Sequence, residues 1–60
     1  MKTEELKRKL RRGGCYFVRQ GSNHEVWFSP ITNAIFTVPR HTDTKPNLVK
    51  VISKQSGVKI

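Results

Sequence analysis

CYFVRQGSNHEVWFSPITNAIFTVP, residues 15–39, is the stretch from which the fold is read. It holds three short runs rich in aromatic and β-branched residues, Cys15 to Arg19, His24 to Phe28 and Ala34 to Val38, separated by turn formers. Gly21 permits backbone angles that side chains forbid, and Ser22 and Asn23 favour turns by bonding to nearby backbone groups. Pro30 ends the second run, Thr32 and Asn33 supply the next turn, and Pro39, which cannot donate to a central ladder, closes the third. Connections this short bring neighbouring strands together antiparallel. The stretch therefore predicts a three-stranded meander with Gln20 to Asn23 at a hairpin tip. Tyr16, Phe17, Val18, Val26, Trp27 and Phe28 put apolar groups on both faces of that sheet. The second face either shields its own backbone or meets bases or a partner protein.

Helices are expected on either side. In MKTEELKRKLRRGG, Thr3 is a candidate N-cap, Glu4 and Glu5 lie in a first turn and Arg11 and Arg12 in a last one, and Gly13 is the stop. Leu6 and Leu10 share one face, while Glu4 with Arg8 and Glu5 with Lys9 have the spacing of ion pairs. Lys7, Arg8, Lys9, Arg11 and Arg12 read equally as a phosphate-binding surface and as a solvated face. At the other end, Pro46 starts a helix and Gly57 stops it; Leu48, Val51 and Ile52 are its expected core face, and Val58 packs back on the last turn. The fold class is α+β, in the order α-β-β-β-α, with two helices on one face of the sheet. That is the layout of double-stranded-RNA-binding domains.

Size and charge narrow the function. Sixty residues are expected to form a single domain, 1–60, with a thin core. One cysteine, Cys15, forms no internal disulfide, and its apolar setting reads as core. Twelve Lys and Arg against four Asp and Glu give a net charge of +8, which attracts polyanions, nucleic acid foremost. An acidic protein is the other class of partner. A membrane surface is disfavoured because neither helix carries a large aromatic face. The first ten residues have no signal-peptide core and no run is long enough to cross a bilayer, so the expected location is cytoplasmic.

His24 is the candidate for chemistry. It stands at the mouth of a strand, directly after the Gly21, Ser22, Asn23 turn, where packing fixes the backbone and the ring meets solvent. Imidazole is the side chain best suited to moving protons near neutral pH. RHTDTK, Arg40 to Lys45, adds cations and a second histidine suited to phosphate contact, and Lys50 and Lys54 form one stripe of the last helix. His41 reads as a binding or backbone-capping residue. A metal site from His24, Glu25, His41 and Asp43 is disfavoured, because strand alternation sends His24 and Glu25 to opposite faces and hard cations want more carboxylates.

Three motifs in order, GSNH at 21–24, TVPRH at 37–41 and KVISKQSGV at 50–58, resemble the HicA toxins of bacterial toxin-antitoxin modules, over nearly the whole chain. The resemblance implies an mRNA interferase: an endoribonuclease that cleaves mRNA and is silenced by a HicB-type antitoxin in a hetero-oligomeric complex. The family's catalytic histidine follows the glycine-serine turn, which puts that role on His24. The slot before it varies between histidine and asparagine in the family, and Asn23 here leaves one histidine in the turn. RNA supplies its own nucleophile, the 2′-hydroxyl, so a base at His24 suffices without metal or cofactor. Arg40, Lys45 or Lys54 would stabilise the charge that develops on phosphorus, and the leaving oxygen takes its proton from water, His41 or His24. Two other classes of function fit the same sequence: an RNA-binding module without chemistry, and a basic subunit that chiefly binds an acidic partner protein.

Overall fold

The computed structural model describes all 60 residues. Helix α1 spans Thr3–Arg12, strands β1, β2 and β3 span Tyr16–Gln20, His24–Ser29 and Ala34–Pro39, and helix α2 spans Pro46–Ser56. The strands form one antiparallel sheet in the order β1-β2-β3, as the short connections require. The α-β-β-β-α order and three-stranded meander expected from the sequence are both present.

Alternation along β2 divides the sheet. Glu25, Trp27 and Ser29 face the helices, and Trp27, opposite Phe36, is 1 % exposed. Leu6 and Leu10 of α1, Cys15, Val38 and Ile52 of α2 close over Trp27 and Phe36 as the core, with Val58 and Ile60 packed beside them. Both helices therefore lie on one face. His24, Val26 and Phe28 take the other, on which no helix packs: neighbouring side chains shield Val26, but Ile35 is 65 % exposed, and Tyr16 rests on the half-buried Phe28 with ring centroids 5.5 Å apart. A bulge sits in β1, where Phe17 pairs with Trp27 and Arg19 with Val26, leaving Val18 as an extra residue.

The helix ends show where local signals held and where they were overridden. Gly13 and Gly14 end α1 through a left-handed turn at Gly14, φ 97°, with Gly14 N–H donating to the Arg11 carbonyl and Cys15 N–H to that of Leu10, both at 3.0 Å. Gly57, at φ 75°, ends α2 and donates to the Ser53 carbonyl at 2.9 Å. Val58 packs over Gly13 as well as the core, so it ties the two helix ends together.

Three expectations are corrected. Thr3 is not the N-cap of α1: Lys2 occupies that position, and the Thr3 hydroxyl is drawn instead to the buried Thr44 hydroxyl at 2.8 Å. The Glu4–Arg8 and Glu5–Lys9 pairs do not form; the one ion pair is Lys7 with Glu25, across elements, at 3.0 Å. Leu48 and Val51 are not core, being 36 % and 48 % exposed. Helix α2 is rotated so that Val49, Ile52, Ser53 and Ser56 face inward, because its C-terminal carbonyls are held by the β2–β3 turn. Ser29 Oγ donates to the Ser56 carbonyl, and Thr32 Oγ1 donates to that of Gln55 at 2.8 Å. No helix is long and apolar enough to cross a membrane.

Candidate active site

The backbone around His24 is set by a close approach. The Gly21 N–H donates to the His24 carbonyl at 2.7 Å, and a Cβ at Gly21 would itself stand 2.7 Å from that oxygen. Glycine is required here for space rather than for a positive φ. Ser22 and Asn23 bulge outward at the tip, and the exposed His24 ring emerges where β2 begins. Its partner across the ladder is Pro39, the last residue of β3, so the chain beyond Pro39 starts beside His24.

That following loop is held at both ends. With the Gln20 amide turned so that its oxygen faces the guanidinium, Gln20 accepts from Arg40 Nη1 at 2.6 Å and Nε at 3.0 Å. Further on, Lys2 bridges Asp43 antiparallel, Thr3 N–H donates to the Thr42 carbonyl at 2.9 Å, and Thr44 N–H donates to that of Met1 at 2.8 Å. The residues before α1 thus act as a short strand against the loop. His41 lies between the two anchors.

Adjoining hollows open around these residues. Ser22, Asn23, His24, Arg40 and His41 line one, and a second continues from His24 and His41 past Asp43 to Lys45 and Leu48. On the helix side a third runs from Arg40 and His41 to Lys2, Lys7 and Glu25. Neither the His24 ring nor the His41 ring makes a hydrogen bond or ion pair within the chain. Two imidazoles with unengaged nitrogens, together with Arg40 and Lys45, equip an open concavity for proton transfer and anion binding.

The structure therefore brings together His24, Arg40, His41 and Lys45, beside the Gly21, Ser22, Asn23 turn. It leaves Lys50 and Lys54 apart, exposed on α2 and lining none of these hollows. Lys2, which no sequence signal singled out, joins the rim through its bridge to Asp43. No three His, Cys, Asp or Glu side chains converge as a metal site requires.

Glu25 is the polar anchor behind the site. Its carboxylate accepts from Trp27 Nε1 and from Lys7 Nζ, each at 3.0 Å, and the Arg11 guanidinium lies 5.4 Å from the centre of the Trp27 ring. Burial alone would raise its pKa. The hydrogen bonds from Trp27 and Lys7, with the charges of Lys7 and Arg40, outweigh burial and hold it below the usual carboxylate value. Trp27 lies two residues along the same strand, whereas Lys7 reaches Glu25 from α1, 18 residues away, with no helical or strand spacing to reveal the link.

Comparison with curated proteins and with solved structures gives no match. A family model does match: the HicA toxin of bacterial toxin-antitoxin systems, over residues 3–58. That span includes the turn before His24, the anchored loop and all of α2, and the chain belongs to the HicA toxin family.

Proposed function

We propose that this chain is the toxin of a type II toxin-antitoxin pair and acts as an endoribonuclease on mRNA, with His24 as general base. The observation that carries the reading is the hollow in which the unengaged His24 ring stands beside Arg40 and Lys45. RNA brings the nucleophile with it. His24 takes the proton of the 2′-hydroxyl, the oxygen attacks the adjacent phosphate, and the cations balance the negative charge that grows in the transition state. Arg40, His41 and Lys45 contact the scissile region, and the outward Lys50 and Lys54 meet phosphates farther along the strand. The chain's net charge of +8 draws the polyanion to the site.

A HicB-type antitoxin silences the enzyme by presenting acids to this basic rim and covering His24, in a hetero-oligomeric complex. The uncovered face with Tyr16, Phe28 and Ile35 gives such a partner an apolar surface to bury. A purified complex that left His24 open and retained full nuclease activity would refute this arrangement.

The test of the catalytic reading compares the intact protein with His24→Ala in RNA cleavage, both with EDTA present, alongside an RNA-binding titration. Cleavage by the intact protein and loss of about 10²- to 10⁴-fold in the variant, with similar RNA affinity, is the expected result. Binding by both without cleavage by either, across a broad set of RNAs, would leave an RNA-binding module and remove the enzyme.

A further inference from the structure

We infer that His41 is the acid partner of His24: it protonates the leaving 5′-oxygen as His24 takes the 2′-hydroxyl proton. The inference rests on the ribonuclease reading above and names a second catalytic group for the same site. A loop histidine near proline and arginine ordinarily caps backbone groups or touches phosphate, and here it caps no backbone group. The loop is held without it, by Gln20 on Arg40, by Thr3 on Thr42, and by Met1 and Thr3 on Thr44. His41 nevertheless sits at a fixed place in the backbone and lines the same two hollows as His24. An exposed ring that contributes nothing to the loop it sits on, yet shares a concavity with the base, is available to the substrate.

The other groups lining those hollows are poorer acids. Guanidinium and ammonium groups hold their protons too tightly to give them up efficiently near neutral pH, and a carboxyl group has usually lost its own. Imidazole does both. Arg40 and Lys45 are left to bind the phosphoryl oxygens, and the segment bearing Asp43 is engaged with Lys2 through the backbone.

The step balances without a further reactant. The 2′-oxygen bonds to phosphorus as the bond from phosphorus to the 5′-oxygen breaks; the 2′-hydroxyl proton passes to His24, and the His41 proton passes to the departing oxygen. The products are a 2′,3′-cyclic phosphate and a 5′-hydroxyl. His24 is left protonated and His41 neutral, and exchange with water in the open hollow restores both.

The test uses an RNA oligonucleotide carrying a mapped cleavage site, and the same oligonucleotide with sulfur in place of the bridging 5′-oxygen at that site. A leaving thiolate needs no proton. His41→Ala should cleave the ordinary RNA about 10²- to 10⁴-fold more slowly than the intact protein, and the sulfur substrate at nearly the intact rate. His24→Ala should fail on both. Equal slowing of His41→Ala and His41→Gln on the two substrates would overturn the assignment and leave His41 a binding residue. Should neither variant fold, the intact protein still decides: products ending in 5′-phosphate rather than 5′-hydroxyl would refute the step. An intact protein that cuts no RNA at all removes the ribonuclease reading itself, whereas cutting without sulfur rescue removes only the role of His41.

Discussion

The two ends of the sheet treat their polar side chains in opposite ways. Where β2 turns into β3, every hydroxyl is engaged: Ser29 on the Ser56 carbonyl, Thr32 on that of Gln55, Ser53 on that of Val58 at 2.6 Å, and Ser56 on that of Ser53 at 3.3 Å. Where β1 turns into β2, the His24 and His41 rings engage nothing in the chain. The first end is a lock that fixes the rotation of α2. The second is left with unengaged ring nitrogens, and on the proposed ribonuclease reading the contrast is between residues that serve folding and residues that serve chemistry.

Substitutions test that separation. The largest effect is expected at His24, where alanine should lower cleavage by about 10²- to 10⁴-fold. Its thermal melting should report a stability change within about 0.5 kcal/mol, as for an exposed side chain without partners. A melt displaced by several kcal/mol would place His24 among the structural groups. Next comes Gly21→Ala, whose methyl must push against the His24 carbonyl. Displacement of a catalytic group by about 1 Å costs on the order of 10²-fold in rate, so the role proposed for His24 predicts a loss of that size in cleavage by protein shown to be folded. An unchanged rate would mean that the turn does not aim His24.

The folding end should answer the other way. Ser29→Ala orphans the buried Ser56 carbonyl and should cost about 1–3 kcal/mol in denaturant unfolding, while cleavage per folded molecule stays unchanged. Loss of activity without loss of stability would erase the distinction between the ends.

The smallest effect lies between them, at Glu25. Its lowered pKa means that the folded state holds the carboxylate charged more readily than the unfolded chain does. The stabilisation is present above the unfolded value of about 4.3 and fades as pH falls through the lower folded value. Glu25→Gln should therefore cost about 1 kcal/mol at most at neutral pH and flatten the loss of stability on acidification, followed by melts from pH 7 to pH 2. An unaltered acid limb would discount the Lys7 and Trp27 contacts.

The same contrast explains what the sequence could reveal. Strand alternation placed His24 and Glu25 on opposite faces, the glycines at 13 and 57 marked both helix ends, and Cys15 was legible as core, because each is a local or periodic signal. The rotation of α2 was not legible. Leu48, Val51 and Ile52 are spaced as a core face, but the serines and threonine that hold the C-terminal turn come from β2, the β2–β3 turn and the helix itself. Thr3 looked like a cap because the Thr44 hydroxyl lies 41 residues away. At the site, the turn before His24 could be read from composition, whereas the meeting of His24 with His41 depends on strand register between His24 and Pro39 and on the bridge from Lys2 to Asp43.

The extra residue at Val18 has a consequence for how the protein behaves in concentrated solution. Strand β1 is a free sheet edge on which Tyr16, Phe17 and Val18 are all exposed, a composition that invites another chain to add as a fourth strand. By breaking the spacing of the outward N–H and C=O groups and bending the strand just before Arg19, the irregularity denies an incoming strand a regular template. The bulge at Val18 is thus a local obstacle to edge-to-edge pairing, in addition to the repulsion between chains of like net charge.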